Sequence, residues 1–178
     1  MEGELAMPHK PIVLIVDDIP SNVLVMGAAL KDECEVLAGT SGPEALEIVA
    51  RTPPDLVLLD VMMPGMDGYE VCRRLKAMPS LEAVPVLFLT AQGEEEDESK
   101  GLDAGAVDYL TKPVNPVLVR ARVRNHLRMK QLFEREHSLV AELREALAKV
   151  QELQGLRPRC AWSKKVRNDQ GYWEQIET

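Results

Sequence analysis

Five polar side chains that could do chemistry together stand at or just after the ends of short apolar runs: Asp17, Asp18, Asp60, Thr90 and Lys112. Three carboxylates gathered in one place repel one another unless a cation lies among them. Carboxylate oxygens with spare positions for water suit Mg2+. A hydroxyl and an ammonium nearby would balance the oxygens of a phosphoryl group. This combination predicts that Asp60 is a nucleophile, that metal and Lys112 offset charge, and that the product is an aspartyl phosphate.

The elements that must bring these residues together are predicted from hydrophobic periodicity. Five short apolar runs predict strands at Ile12–Val16, Val36–Ala38, Leu56–Leu59, Val86–Leu89 and Val107–Leu110. Amphipathic stretches near 21–31, 43–51, 68–77 and 95–104 predict helices between and after them, with Asp67 as a helix cap. This alternation indicates a flavodoxin-like α/β fold, with a parallel sheet in the order 2-1-3-4-5 flanked by helices. The carboxyl ends of strands 1 and 3 flank the crevice where ligands bind in such sheets.

Each of these residues taken singly has a more ordinary explanation. An aspartate after a strand is usually a helix cap. A threonine at a strand end is usually there as a β-former, and a lone lysine is usually solvated surface. The placement of all five at neighbouring strand ends is what favours a functional site.

Four stretches of the sequence carry a family resemblance: VLIVDDIPSN, LLDVMMPGMDGYEVCRRLK, VLFLTA and GAVDYLTKP. They resemble the receiver domains of bacterial two-component response regulators, and the resemblance covers residues 10 to about 128. The first two stretches are most similar to receivers at the front of diguanylate cyclases and related multi-domain regulators.

The resemblance also implies roles for particular residues. Asp18 and Asp60 would bind Mg2+ directly, Asp17 would help through water, and Met62 would offer its backbone carbonyl. Thr90 and Lys112 would contact the phosphoryl group. Tyr109 would be the aromatic switch that turns inward on phosphorylation, and the Lys112–Pro113 peptide bond would be cis.

A long helix is predicted after the fifth strand, because the sequence from Val117 to about Gln154 contains no Gly or Pro. Asn115 and Pro116 would begin this helix, and Gly155 and Pro158 would end it. Apolar residues recur in alternating three- and four-residue steps and indicate a parallel dimeric coiled coil: Met129, Leu132, Leu139, Leu143, Ala146, Val150 and Leu153, widened by Val140 and Leu147 and broken by Glu136. An amphipathic helix more often packs on its own domain, but a helix of roughly 55 Å overshoots a small domain.

The predicted organisation is an N-terminal tail at 1–10, a receiver at 11–128, a coiled-coil helix at 129–155 and a tail of unassigned fold at 156–178. A net charge of -8 and a pI of about 5.0 argue against a nucleic-acid-binding surface. The apolar runs are too short for membrane insertion. The acidic N-terminus is unlike a signal peptide, and the three cysteines are expected to be reduced, so we expect a cytoplasmic protein. His9, His126 and His137 lack ligand spacing and are expected at the surface.

The expected function is that of a response regulator. It would take a phosphoryl group from a histidine kinase or phosphotransfer protein and relay it through a homodimer. The dimer would form through the coiled coil and through the face shared by the predicted helix 95–104, the fifth strand and the last helix. No enzymatic activity on an external substrate is expected, and the sequence names neither the kinase nor the output.

Two alternatives use the same residues differently. A haloacid-dehalogenase-type phosphatase also has a strand-end aspartate with magnesium, Thr and Lys, but it needs a second aspartate two residues later, where Met62 stands. A passive receiver could instead cap a coiled coil, although the complete set of five polar residues argues against this alternative.

Overall fold

A five-stranded sheet forms the centre of the structure, a computed structural model that describes residues 10–91 and 104–155 and the strand residues 166–167 and 173–174. The sheet is parallel, in the order β2-β1-β3-β4-β5. Its strands are β1 (Ile12–Val16), β2 (Glu35–Gly39), β3 (Leu56–Asp60), β4 (Val86–Thr90) and β5 (Asp108–Thr111). The predicted flavodoxin-like fold and its strand order are confirmed.

Four helices lie within the described ranges: α1 (Pro20–Leu30), α2 (Gly42–Arg51), α3 (Gly68–Lys76) and α4 (Pro116–Gly155). The Asp67 carboxylate accepts the Glu70 N–H at 2.8 Å and caps α3 as predicted. The Asn115 side chain accepts the Val117 N–H at 2.9 Å at the start of α4. Such caps satisfy donors that the first helical turn leaves unpaired, so they fix where each helix begins.

The hydrophobic core lies on both faces of the sheet. Every residue of β3 and β4 is buried, as a strand covered on both sides requires. One face carries apolar side chains of α1 and α4: Met26, Leu30, Val119, Val123 and Leu127. The other face carries those of α2 and α3: Ala45, Val49, Val71, Cys72 and Leu75. The sheet is therefore packed on both faces, which fixes the strands that carry the residues at its carboxyl edge.

Polar contacts add to the attachment of the first part of α4. The Lys130 ammonium lies 2.7 Å from Asp55 Oδ1, and Asp55 Oδ2 accepts the Ile12 N–H at 2.9 Å. The Arg124 guanidinium lies 2.6 Å from Glu33 Oε1. These contacts join α4 to the beginnings of β1 and β2 and to the residue before β3.

The predicted coiled-coil stripe begins on the solvent side of α4. Leu127 is 7% exposed, whereas Met129 and Leu132 are 63% and 52% exposed. Met129 and Leu132 therefore do not pack on their own domain, as the alternative to a coiled coil would require. The helix runs unbroken to Gly155, where the sequence predicted its end, while a paired partner helix stays a prediction.

The chain forms two compact units, of which the first ends at Leu132 and the second begins at Phe133. A short antiparallel pair, β6 (Val166–Arg167) and β7 (Trp173–Glu174), lies in the tail that sequence patterning left unassigned. The predicted domain boundaries at residues 10, 128 and 155 stay predictions. Cys34 and Cys72 are free, buried thiols, and Cys160 lies outside the described residues.

At β5 the structure differs slightly from the prediction made from the sequence. The strand β5 starts one residue later than predicted, because Leu87 of β4 pairs with Asp108, while the Val107 N–H bonds to the Val86 carbonyl before the strand begins. The helix predicted near 95–104 lies almost entirely outside the described residues. Among the residues that are described, no helix is both long and apolar enough to cross a membrane.

Candidate functional site

The carboxyl ends of four strands meet at one edge of the sheet and bring the predicted site residues together. Asp17 and Asp18 follow β1, Asp60 and Thr90 end β3 and β4, and Lys112 follows β5. Ligand atoms of the three aspartates lie within 4.8 Å of one another. Asp17 is fully buried and Asp60 is 3% exposed, because their strands lie in the interior of the sheet. The site is therefore a compact group of acids shielded from most solvent.

Lys112 supplies the positive charge in this group. Its Nζ lies 2.8 Å from Asp17 Oδ2 and 2.6 Å from Asp60 Oδ2. The Lys112 N–H donates to the Thr90 carbonyl at 2.7 Å, which aligns the residues after β5 with the end of β4. The Lys112–Pro113 peptide bond is cis, as the family resemblance implied.

Burial and charge act in opposite directions on these groups. Burial raises the pKa of the Asp60 carboxyl, and the nearby Asp17 adds to the rise, while the Lys112 ammonium and the Met62 N–H limit it. Burial alone would lower the pKa of Lys112, but its hydrogen bonds to Asp17 and Asp60 outweigh that effect and raise it. A carboxylate held at this position is poorly solvated, which leaves its oxygens available to an electrophile or a cation.

The loop after β3 fixes the position of Asp60. The Met62 N–H donates to Asp60 Oδ1 at 3.2 Å, and the Gly68 N–H donates to the Val61 carbonyl at 2.9 Å. A Cβ on Gly68 would overlap the Asp60 carbonyl oxygen and lie 2.9 Å from the Val61 Cα. The first turn of α3 thus approaches the backbone of Asp60 as closely as glycine permits. The role predicted for the Met62 carbonyl stays a prediction.

Thr90 and Tyr109 occupy adjacent strands beside this group. Thr90 ends β4 and is almost fully buried, whereas Tyr109 is half-exposed in β5, in register with Phe88. The Tyr109 N–H donates to the Asp108 carboxylate at 2.9 Å. The roles of Thr90 and Tyr109 as a switch pair stay predictions.

Asn22 belongs to this site, although no sequence pattern singled it out. Its amide Nδ2 lies 3.0 Å from both oxygens of Asp17, and the Ile19 N–H donates to Asp17 Oδ1 at 2.9 Å. The available signal was spacing, because Asn22 lies in the first turn of α1, five residues after Asp17. An asparagine at such a position otherwise reads as ordinary polar surface.

His126 is not the surface residue that the sequence predicted. Its side chain is 15% exposed and its Nε2 lies 2.8 Å from Asp108 Oδ2, which also accepts from Arg122 at 2.9 Å. Burial would raise the pKa of the Asp108 carboxyl, but its hydrogen bond with His126 and the Arg122 charge lower it. These contacts connect β5 with α4. Asp108 and His126 are 18 residues apart, and no sequence pattern identifies so distant a pair.

The acidic group fits a magnesium ion by its chemistry. All the side-chain donors are carboxylate oxygens, the ligand type that Mg2+ prefers. One ammonium contacts two of the three carboxylates, so negative charge remains for a divalent cation to balance. Asp18 is partly exposed and could be reached from solvent.

Magnesium is expected to raise the melting temperature of the wild-type protein, because the ion binds the folded acidic group and not the unfolded chain. Asp18→Asn should remove most of this shift, since it deletes one charge without changing side-chain volume. Differential scanning calorimetry at increasing magnesium concentration measures both effects. An unchanged wild-type transition in millimolar magnesium would show that the acidic group is not a metal site.

Comparisons with known proteins agree on one family. A family model described as the response regulator receiver domain matches residues 13–124. A protein of Vibrio cholerae named probable cyclic di-GMP phosphodiesterase is 48% identical over 119 residues, which are 67% of this chain and 27% of that protein. Response regulator PleD of Caulobacter vibrioides is 47% identical over 123 residues, or 68% of this chain and 27% of PleD.

A solved structure gives the same result. The chemotaxis protein CheY4 of Vibrio cholerae superposes with a TM-score of 0.64 and 30% identity, covering 66% of this chain and 98% of CheY4. The chain spans about a quarter of the length of the two curated relatives above, 27% in each case. The similarity is therefore to their receiver portion.

Proposed function

Because the chain belongs to the family of response regulator receiver domains, we propose that its Asp60 accepts a phosphoryl group from a histidine kinase or phosphotransfer protein. One observation carries this proposal. The buried Asp60 carboxylate ends β3 beside two further carboxylates, with the Lys112 ammonium 2.6 Å from its oxygen. This arrangement supplies a nucleophile, a place for a divalent cation and a fixed positive charge.

The proposed transfer is a displacement at phosphorus. An Asp60 oxygen attacks the phosphorus of a phosphohistidine, the phosphorus–nitrogen bond breaks, and the electron pair returns to the imidazole of the donor. Lys112 and the Thr90 hydroxyl bind phosphoryl oxygens. Asp18, Asp60 and the Met62 carbonyl would hold Mg2+, with Asp17 acting through water, and the ion supplies charge neutralisation when bound.

The proposal is tested by labelling the wild-type protein with acetyl phosphate. With magnesium we expect one phosphoryl group per chain, located on Asp60 by peptide mass spectrometry. Removal of magnesium with EDTA should prevent the labelling. A phosphoryl group found on another residue, or none found with magnesium present, would contradict the assignment.

We propose that phosphorylation is read out through a homodimer. Val107 just before β5, Tyr109 on β5 and Leu118 on α4 are exposed apolar or aromatic side chains of the predicted dimer face. Thr90 pairs with Thr111 at the end of β5, and we propose that a change in its contacts with the phosphoryl group is passed along this strand to Tyr109. The predicted helix 95–104 would complete the face, but it lies almost entirely outside the described residues.

The coiled coil is proposed as the second part of the dimer. Leu139, Leu143 and Val150 are each about half-exposed and recur with heptad spacing, which is typical of a helix that pairs with another of the same kind. Val140 and Leu147 are also exposed and widen the stripe to one side. A wide stripe interrupted by Glu136 would allow two packings of similar free energy, and phosphorylation would favour one of them.

Glu136→Leu is expected to strengthen the dimer, because it replaces a like-charge pair in the seam with an apolar contact. Analytical ultracentrifugation should show a dissociation constant about tenfold lower, equivalent to about 1.4 kcal/mol, with less dependence on phosphorylation. Glu145→Leu, off the seam, is the matched control and should leave the constant nearly unchanged. A wild-type protein that is monomeric at micromolar concentration would contradict the coiled coil itself.

Other aspects of the function follow from the same proposal. The chain is proposed to turn over its own phosphoryl group and no external substrate, and membership of the receiver family supports this proposal over the phosphatase alternative. Free, buried Cys34 and Cys72 fit a reducing cytoplasm. Direct nucleic-acid binding is not proposed, because the chain carries a net charge of -8.

A further inference from the structure

We propose that Asn22 is a positioning residue that allows Lys112 to leave Asp17 and bind the phosphoryl group on Asp60. The inference rests on the proposed function of Asp60. It concerns the step in which the Lys112 ammonium exchanges Asp17 for a phosphoryl oxygen. The hydrogen bonds around Asp17 give a physical reason why Asn22 would favour this exchange.

Asp17 is saturated by donors from the protein. Its Oδ1 accepts from the Ile19 N–H at 2.9 Å and from Asn22 Nδ2 at 3.0 Å. Its Oδ2 lies 3.0 Å from the same amide nitrogen and 2.8 Å from Lys112 Nζ. The carboxylate is fully buried, so it depends on these groups in place of solvent.

Loss of a donor from a buried carboxylate is costly when nothing replaces it. If Lys112 moves toward a phosphoryl oxygen, Asp17 Oδ2 keeps the Asn22 amide as a donor. Without that amide, Lys112 is the remaining side-chain donor described at Oδ2, and its departure would leave a buried oxygen poorly satisfied. Asn22 therefore lowers the free energy required for the exchange.

The surroundings of Lys112 leave room for the movement. An open cleft of about 480 Å3 is lined by Asn22, Lys112 and Pro113, together with Val25, Ala91 and Val114. The Lys112 side chain is 23% exposed, in contrast to the enclosed Asp17. Asn22 thus adjoins both the buried carboxylate and the space into which the ammonium can turn.

The test compares two binding equilibria in the full chain by isothermal titration calorimetry. Titration with magnesium alone measures binding to the acidic group. Titration with beryllofluoride in saturating magnesium measures formation of the phosphoryl-bound arrangement. Asn22→Ala should weaken beryllofluoride binding about tenfold, the order expected for one hydrogen bond to a charged group, and should change magnesium binding little. Asn22→Gln keeps the amide donor and should recover part of the affinity. Leu24→Ala, at a position 72% exposed on the same helix, should match the wild type in both equilibria.

The ratio of the beryllofluoride affinity to the magnesium affinity distinguishes a positioning residue from a merely structural one. A merely structural residue would lower the melting temperature and weaken both equilibria equally. Equal weakening, or wild-type beryllofluoride affinity in Asn22→Ala, would overturn the proposal while leaving Asp60 as the acceptor. If Asn22→Ala does not fold, Asn22→Val, which also lacks a side-chain donor, gives the same comparison. A wild-type protein that binds no beryllofluoride would overturn the proposed function, and the role of Asn22 with it.

Discussion

Asp60→Asn is expected to abolish labelling by acetyl phosphate and, at neutral pH, to raise the melting temperature of the magnesium-free protein. The first effect follows because an amide lacks the nucleophilic carboxylate oxygen. The second follows because Asp60 is a buried acid among other acids. Functional residues held at a cost in stability are common at such sites.

The direction of the stability change follows from the raised pKa of the Asp60 carboxyl. The folded state binds the Asp60 proton more tightly than the unfolded state, so ionised Asp60 destabilises the fold at pH values above its folded pKa. This penalty falls as the pH drops through the folded pKa and vanishes below the unfolded pKa. Asp60→Asn should therefore gain a few degrees near neutral pH and lose that advantage near pH 4, a value close to the ordinary pKa of an aspartate.

Calorimetry across this pH range and intact-mass analysis measure the two effects on the same samples. Asp67→Asn is the matched control, because asparagine caps a helix about as well as aspartate. That control should be labelled like the wild type. Full labelling of Asp60→Asn would remove Asp60 as the acceptor, and a lower melting temperature at every pH would contradict the electrostatic argument.

Gly68→Ala is expected to destabilise the receiver by about 3 kcal/mol, the upper part of the range for overpacking. The added methyl would meet the Asp60 carbonyl oxygen and the Val61 Cα, which are backbone atoms that cannot rotate away. Either α3 or the end of β3 must shift. A shift of Asp60 should also slow labelling by on the order of a hundredfold.

Urea denaturation and single-turnover labelling test this prediction. Gly27→Ala is a suitable control, since a Cβ there would lie 3.8 Å from Val36 Cγ1. That helical position should gain up to about 1 kcal/mol. If Gly68→Ala were as stable as the wild type, the first turn of α3 would be less tightly fitted to Asp60 than the distances indicate.

The strands and their order could be predicted because their signals are local. Runs such as Leu56–Leu59 and Val86–Leu89 are continuously apolar, and the caps Asp67 and Asn115 act within three residues. Asp60 and Lys112 could be paired in advance because parallel strands bring their carboxyl ends to one edge.

Other parts of the site depend on contacts between residues that no short sequence pattern reveals. Asn22 resembles any polar helix residue until its distance to Asp17 is known. Gly68 was predicted only as the first residue of a helix, although its importance is the closeness of Asp60. His126 was expected at the surface because it lacks ligand spacing, and its partner, Asp108, is 18 residues away, too far for a short pattern to show.

The attachment of α4 by Lys130 and Arg124 has a consequence for folding during synthesis. Lys130 meets Asp55 across 75 residues, and Arg124 meets Glu33 across 91. Pairings this distant in sequence form late, because the intervening chain must first be ordered. A nascent chain that has emerged only as far as β5 has its strands but lacks Val119, Val123 and Leu127, so one face of its sheet is covered by α1 alone. The receiver should therefore gain protease resistance abruptly, once translation has carried residues near 130 beyond the ribosomal tunnel.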